Sequence, residues 1–192
     1  FKTFFRAYAR VVTMIEIHGF CRGPFSAVKK AFCENFRRGK EIGASVAVIQ
    51  GGETVVDLWA GHIDKNETIP WKIDTLVDVY STTKVMTALC LHILVSDGKV
   101  DLNAPVAEYW PEFGQNGKES ILIRHILSHT SAIPGFDQEI TIEDLYDWEK
   151  MTLMLATQAP RWEPGTRSGY HMISFGYLVG NVVKRVSGKS LG

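Results

Sequence analysis

The stretch Thr75–Gly98, TLVDVYSTTKVMTALCLHILVSDG, decides how the rest of the chain is read. Thr75 to Tyr80 reads as a short extended segment, and Val85 to Val95 as a buried helix that closes at Gly98. Ser81 falls at the junction and Lys84 follows three residues later. Three residues along a helix bring two side chains onto one face, where an amine can hydrogen-bond a hydroxyl and help activate it. The start of an apolar helix also offers free backbone N–H groups and the positive end of a dipole, both of which favour a developing oxyanion. An apolar surrounding would favour the neutral amine that a base requires. From spacing alone, Ser81 reads equally as a nucleophile or as the N-cap of the helix.

Two other Ser-x-x-Lys tetrapeptides occur, Ser26 to Lys29 and Ser96 to Lys99. The first opens a helix among charged residues and the second straddles Gly98, so both read as surface. His125 and His129 have a metal-ligand spacing, but Ile126 stands where the Glu of His-Glu-x-x-His would be, so packing or capping is expected of them. Gly43-Ala44-Ser45 resembles the beginning of a nucleophile elbow, yet it enters a strand rather than a helix. Asp137 and Glu139 read as solvated acids of a turn rather than a glycosidase pair. No phosphate-binding glycine loop and no cofactor motif is present, so no cofactor and no metal is expected.

Outward from this centre, Pro24 to Arg38 predicts a first helix, with Val28, Ala31, Phe32 and Phe36 on one face and Gly39 as its stop. Ala44 to Gln50 and Glu53 to Ala60 predict a hairpin around Gly51-Gly52. Beyond the central helix, Ile121 to Ser128 predicts a short helix, and Thr141 to Thr157 a longer one capped by Thr141 with Glu143 and Asp144 in its first turn. A loop rich in Pro and Gly (Pro160, Pro164, Gly165, Gly169) leads into a last helix, about Ile173 to Val186, stopped by Gly188.

Composition narrows the function classes. The 192 residues are 45% apolar and 22% charged, as in an ordinary globular protein. Lys plus Arg and Asp plus Glu balance at 21 each, which removes the global field that a nucleic acid or an anionic membrane would need and leaves a small neutral substrate as the better partner. No apolar run approaches the roughly 20 residues of a membrane-spanning helix. Cys21, Cys33 and Cys90 are unclustered and read as reduced thiols, pointing to a cytoplasmic location. Phe1 to Ile15 carries Lys2, Arg6 and Arg10 and no acid, a loose match to a mitochondrial presequence, while Met14 offers an internal start. The expected organisation is an extension over 1–16 and one domain over 17–192.

At Ser81 to Lys84, and from there over most of the chain from about Ile17, the sequence resembles the serine β-lactamase-like superfamily, which includes class C β-lactamases, DD-peptidases and the family VIII carboxylesterases. The resemblance rests on EIHGFC, GASVAVIQGGETVVDLWAGH, YSTTKVMTALCLHILVSDGKVDLNAPVAEYWPEFGQNGKE, ILSHTSAIP and WEPGTRSGYHMISFGYLVGNVVKRVSGKSLG, in that order. It implies an α/β fold, an antiparallel sheet flanked by helices with an all-α part between Ser81 and Tyr170. It also implies a third group, Tyr170, which follows Pro164-Gly165-Thr166 where the family has its catalytic tyrosine. Ser81 would then attack a carbonyl, Lys84 and Tyr170 would move the proton, and water would resolve the acyl-enzyme.

Two departures shape the expectation. The lactamase pattern Tyr-x-Asn reads Tyr170-His171-Met172 here, which favours a small carboxylic ester over a lactam. The family's later strand bearing Lys-Thr-Gly, His-x-Gly or Trp-x-Gly does not follow Tyr170, and Trp59-Ala60-Gly61 lies upstream in the hairpin. The chain is therefore expected to end about halfway through the family's domain, with an unpaired hairpin edge and little activity of its own. The alternatives are a β-lactamase or DD-peptidase, and a catalytically silent scaffold like the filament-forming mitochondrial member of the superfamily.

Overall fold

The computed structural model describes residues 15–192, so the presequence-like stretch except its last residue, Ile15, lies outside the described residues, Met14 included. The fold divides into two compact units, one ending at Asp78 and one spanning Val79–Gly192. In the first, β1 (Ile17–Cys21), β2 (Gly43–Gln50) and β3 (Glu53–Gly61) form an antiparallel sheet in the order β1-β3-β2, and α1 (Ser26–Arg37) precedes the hairpin.

Alternation along β3 fixes which face is sealed. Val56, Leu58 and Ala60 are fully buried, and their register partners Val48, Val46 and Ala44 on β2 lie on the same face, under Phe32 and Phe36 of α1. Each large apolar side chain buried there contributes about 1.5–3 kcal/mol. On the opposite face His18, Ser45 and Ala47 are exposed and Trp59 is half-buried. The Gly51-Gly52 turn adopts φ of 59° and 83°, the left-handed pair that two-residue hairpins need and that glycine adopts without strain.

The second unit is helical: α2 (Thr83–Ser96), α3 (Val106–Tyr109), α4 (Ile123–Leu127), α5 (Trp148–Thr157) and α6 (Ser174–Ser187). Phe175, Leu178, Val179, Val182 and Val183 recur at helical spacing on α6 and pack in one buried cluster with Leu91 and Leu94 of α2, Trp110, Phe113, Ile121, Ile123 and Ile126. Gly188 ends α6 at φ 72°, as expected from its place in the sequence.

Three expectations change. Thr75 to Tyr80 pairs with no strand, and Leu76, Val77 and Val79 are exposed; an apolar composition does not make a strand without a partner ladder. The helix expected to start at Thr141 is split. Thr141 and Asp144 bond each other's backbone N–H groups around a short 3-10 turn, and α5 begins only after Asp147, whose carboxylate accepts from the Lys150 N–H at 3.0 Å. The central helix is apolar but only half sealed: Leu91 and Leu94 are buried, while Val85, Met86, Leu89 and Ile93 are exposed.

Candidate active site

Ser81 is not an N-cap. It sits within a 3-10 turn, Tyr80–Thr82, one step ahead of α2, whose N-cap is Thr82, with no side-chain capping bond. The turn is closed by the Thr82 N–H on the Val79 carbonyl and the Thr83 N–H on Tyr80. Tyr80 carries φ 46°, a left-handed conformation that costs a residue with a Cβ about 1–2 kcal/mol. The Ser81 side chain is thereby left exposed and free of local capping.

Lys84, on the first turn of α2, is half-buried rather than enclosed in an apolar pocket. Its ammonium reaches the Ser81 hydroxyl at 3.5 Å and donates to the Met172 carbonyl at 2.8 Å. It also stands 5.0 Å from the centroid of the Tyr170 ring and 5.8 Å from that of Phe175. The Tyr170 phenol lies below its ordinary pKa, drawn down chiefly by the Ser81 hydroxyl; burial opposes this, and the hydrogen bond and charge of Lys84 add smaller lowering effects. The three residues picked out in the sequence are thus brought together, 89 positions apart along the chain at the extreme (Ser81 to Tyr170).

Tyr170 is delivered by two loops fastened to each other. Residues 129–133 accept backbone bonds from Arg161, Gly165 and Gly169, at 2.9, 2.8 and 2.9 Å on Ala132, Thr130 and His129. His129 and Ala132 hold φ of 61° and 62° to do so. Gly165, at φ 84°, passes so close to His125 that a Cβ there would sit 3.3 Å from its Nε2, which explains the glycine in the Pro-Gly-Thr loop.

His125 and His129 behave as packing and capping residues. The His125 Nδ1 accepts the Leu122 N–H at 3.2 Å, and the His129 Nδ1 accepts the His171 N–H at 3.2 Å. The His129 ring packs against Tyr170, His171 and Phe175. Among the described residues no group of His, Cys, Asp and Glu could hold a metal ion. Ser26, Lys29, Ser96 and Lys99 are exposed, and Asp137 pairs with Arg161 at 3.0 Å, away from any second carboxylate role.

Sequence reasoning missed Ser131 and the side chain of His171, both fully buried. The His171 Nε2 lies 2.6 Å from the Ser131 hydroxyl and its Nδ1 2.6 Å from the Gly169 carbonyl. A carbonyl only accepts, so Nδ1 carries the proton and Nε2 accepts from Ser131. Burial, with lesser contributions from His129 and Lys84, pushes the His171 pKa down to about 4 against the Gly169 bond, so the ring is neutral at neutral pH. The only signal in the sequence was its position next to Tyr170.

No helix among the described residues is long and apolar enough to cross a membrane. The esterase/beta-lactamase LipL of Mycobacterium tuberculosis is 38% identical over 176 residues, 92% of this chain and 41% of that protein. Two crystal structures are similar in fold: a family VIII carboxylesterase (48% identity, TM-score 0.86, 93% of this chain and 49% of that one) and a penicillin-binding protein homologue from Caulobacter crescentus (39%, TM-score 0.87, 92% and 48%). The chain spans less than half the length of each of these proteins. Together with the antiparallel sheet and helices they give the α/β, β-lactamase/transpeptidase-like fold class. The Beta-lactamase family pattern matches residues 28–192, and the chain belongs to that family.

Proposed function

We propose that the domain over 17–192, preceded by an extension over 1–16, carries the nucleophile and proton-transfer groups of a serine hydrolase that cleaves small carboxylic esters. Ser81 attacks the ester carbonyl, its proton passes to Tyr170, and the departing alcohol recovers that proton; water then enters by the reverse path and releases the acid. Tyr170 accepts the proton as its phenolate, and Lys84 stabilises that charge before the proton arrives and again once the alcohol has taken it. The observation that carries this reading is the meeting of the three groups, with the Lys84 ammonium 3.5 Å from the Ser81 hydroxyl and 5.0 Å from the centroid of the Tyr170 ring. The names of the relatives, an esterase/beta-lactamase and a family VIII carboxylesterase, support the same chemistry. Met172 in place of the lactamase asparagine favours esters over lactams. The unpaired Cys21, Cys33 and Cys90 support a reducing compartment, cytoplasmic or mitochondrial.

The test is hydrolysis of p-nitrophenyl acetate and butyrate against nitrocefin, with covalent labelling by a fluorophosphonate, for the chain and its Ser81→Ala variant. Labelling and ester turnover lost by at least about a thousandfold in the variant is the expected result. Nitrocefin turnover exceeding ester turnover would transfer the reading to a β-lactamase. Absence of any Ser81 adduct on folded chain would favour a silent scaffold.

A further inference from the structure

Tyr170 and Met172 flank His171, and both neighbours act on Lys84: the tyrosine through its ring, the methionine through its carbonyl. What fixes this three-residue turn is the one side chain in it that faces inward. The His171 ring is fully buried, donates from Nδ1 to Gly169 and accepts at Nε2 from Ser131, itself fully buried and accepting the Ile133 N–H at 3.3 Å. The backbone N–H of His171 is bonded to His129, and Ser174 just beyond donates to the Ile133 carbonyl at 3.0 Å. Every polar atom of the ring is therefore satisfied by a geometry that admits one tautomer.

We propose that His171 is a positioning residue: locked between Ser131 and Gly169, it sets the turn that presents the Tyr170 hydroxyl to Ser81 and the Met172 carbonyl to Lys84. The inference rests on the reading of Ser81, Lys84 and Tyr170 as the working groups, but its geometric content stands without turnover. The charged and titratable groups facing the ring are His129, from the loop after α4, and Lys84, from α2, and both disfavour a second proton on it. Protonation at Nε2 would replace an acceptor with a donor opposite Ser131 and would force that hydroxyl to surrender its hydrogen bond.

The experiment uses two variants, Ser131→Ala and His171→Asn, and two readouts. Asn can keep a donor near Gly169 but cannot reach Ser131 as Nε2 does. The first readout is NMR of the side chains: the tautomer of His171, and the titration of the Tyr170 phenol, assigned by its loss in Tyr170→Phe. The second is the rate of fluorophosphonate labelling at Ser81. The expected results are an Nδ1–H tautomer, a Tyr170 midpoint that returns upward in either variant, and labelling slowed about tenfold or more. The double variant should be no slower than the worse single one, because both break the same link. A merely structural contribution would shift unfolding midpoints while leaving the Tyr170 titration of the folded chain in place, and that result, or an Nε2–H tautomer, would overturn the proposal. If the wild-type chain is not labelled but its Tyr170 midpoint still moves in the variants, the hydrolase reading fails and the positioning role survives. If labelling is sound and the midpoint does not move, the reverse holds.

Discussion

The two segments that meet at the site are built on opposite principles. The start of α2, which carries Ser81 and Lys84, has no side-chain cap, is preceded by a left-handed Tyr80 and leaves Val85, Met86 and Leu89 exposed. The loops that carry Tyr170 are tied together by three backbone bonds and by Ser131, His171 and Ser174, all three fully buried with their side-chain polar atoms partnered. In the proposed reaction the Ser81 hydroxyl needs access to substrate, whereas the Tyr170 phenol needs a fixed distance to that hydroxyl. The division places rigidity where distance matters and exposure where attack occurs.

The contrast can be broken most sharply at Phe175. Its ring is 2% exposed, packs against His129 at 5.2 Å and lies under the Lys84 ammonium. Phe175→Ala is expected to cost about 3–5 kcal/mol in urea unfolding. Val85→Ala, 65% exposed in the first turn of α2, is expected to cost less than about 0.5 kcal/mol. Similar losses from the two would mean that α2 is as firmly held as the loops. A smaller effect is expected from pH. The unfolded chain takes up a proton on His171 near the ordinary value of 6.5, but the folded chain refuses it until about 4, so protons bind preferentially to the unfolded state between these limits. Stability is therefore full above about pH 6.5 and falls as the pH is lowered towards 4, by about 3 kcal/mol. His125 and His129, also lowered by burial and nearby charge, add in the same direction. Unfolding midpoints at about pH 7.5, above the window, and at about pH 5.5 and 4.5, within it, check this, and a flat profile in the wild-type chain would contradict it.

How legible each segment is follows from the same contrast. The hairpin could be read because β alternation is a local pattern and Gly51-Gly52 a local turn, and α6 because its buried face recurs at helical spacing and Gly188 ends it. Ser81 and Lys84 could be singled out because their relation spans three residues. Their exposure could not: α2 is apolar almost throughout, and which of its faces is sealed depends on where α6 lies. The Ser131 to His171 link spans 40 residues and leaves no periodic trace, since a buried polar pair looks in sequence like any two surface residues. Lys118 makes the same point. Fully buried, it sends its ammonium to the carbonyls of Gln115 and Gln158, although its residue type predicts the surface. The Thr141 turn was misread for a related reason: a Thr with acids after it caps a single 3-10 turn as readily as a long helix.

A small effect of the opposite sign probes the exposed segment directly. Tyr80 holds φ 46° although its side chain is 85% exposed, so little tertiary packing offsets the backbone cost. Tyr80→Gly removes about 1–2 kcal/mol of that cost and adds about 0.5–1 kcal/mol of unfolded-state entropy, which leaves a net gain of about 0.5–1 kcal/mol in unfolding free energy. If the strained turn is what aims the Ser81 hydroxyl at Lys84 and Tyr170, the same change lets the turn sample other conformations, and labelling of Ser81 slows by a few-fold while stability rises. A loss of stability instead would show that the Tyr80 ring is held by contacts worth more than the strain, and the exposed segment would then be more constrained than its burial indicates.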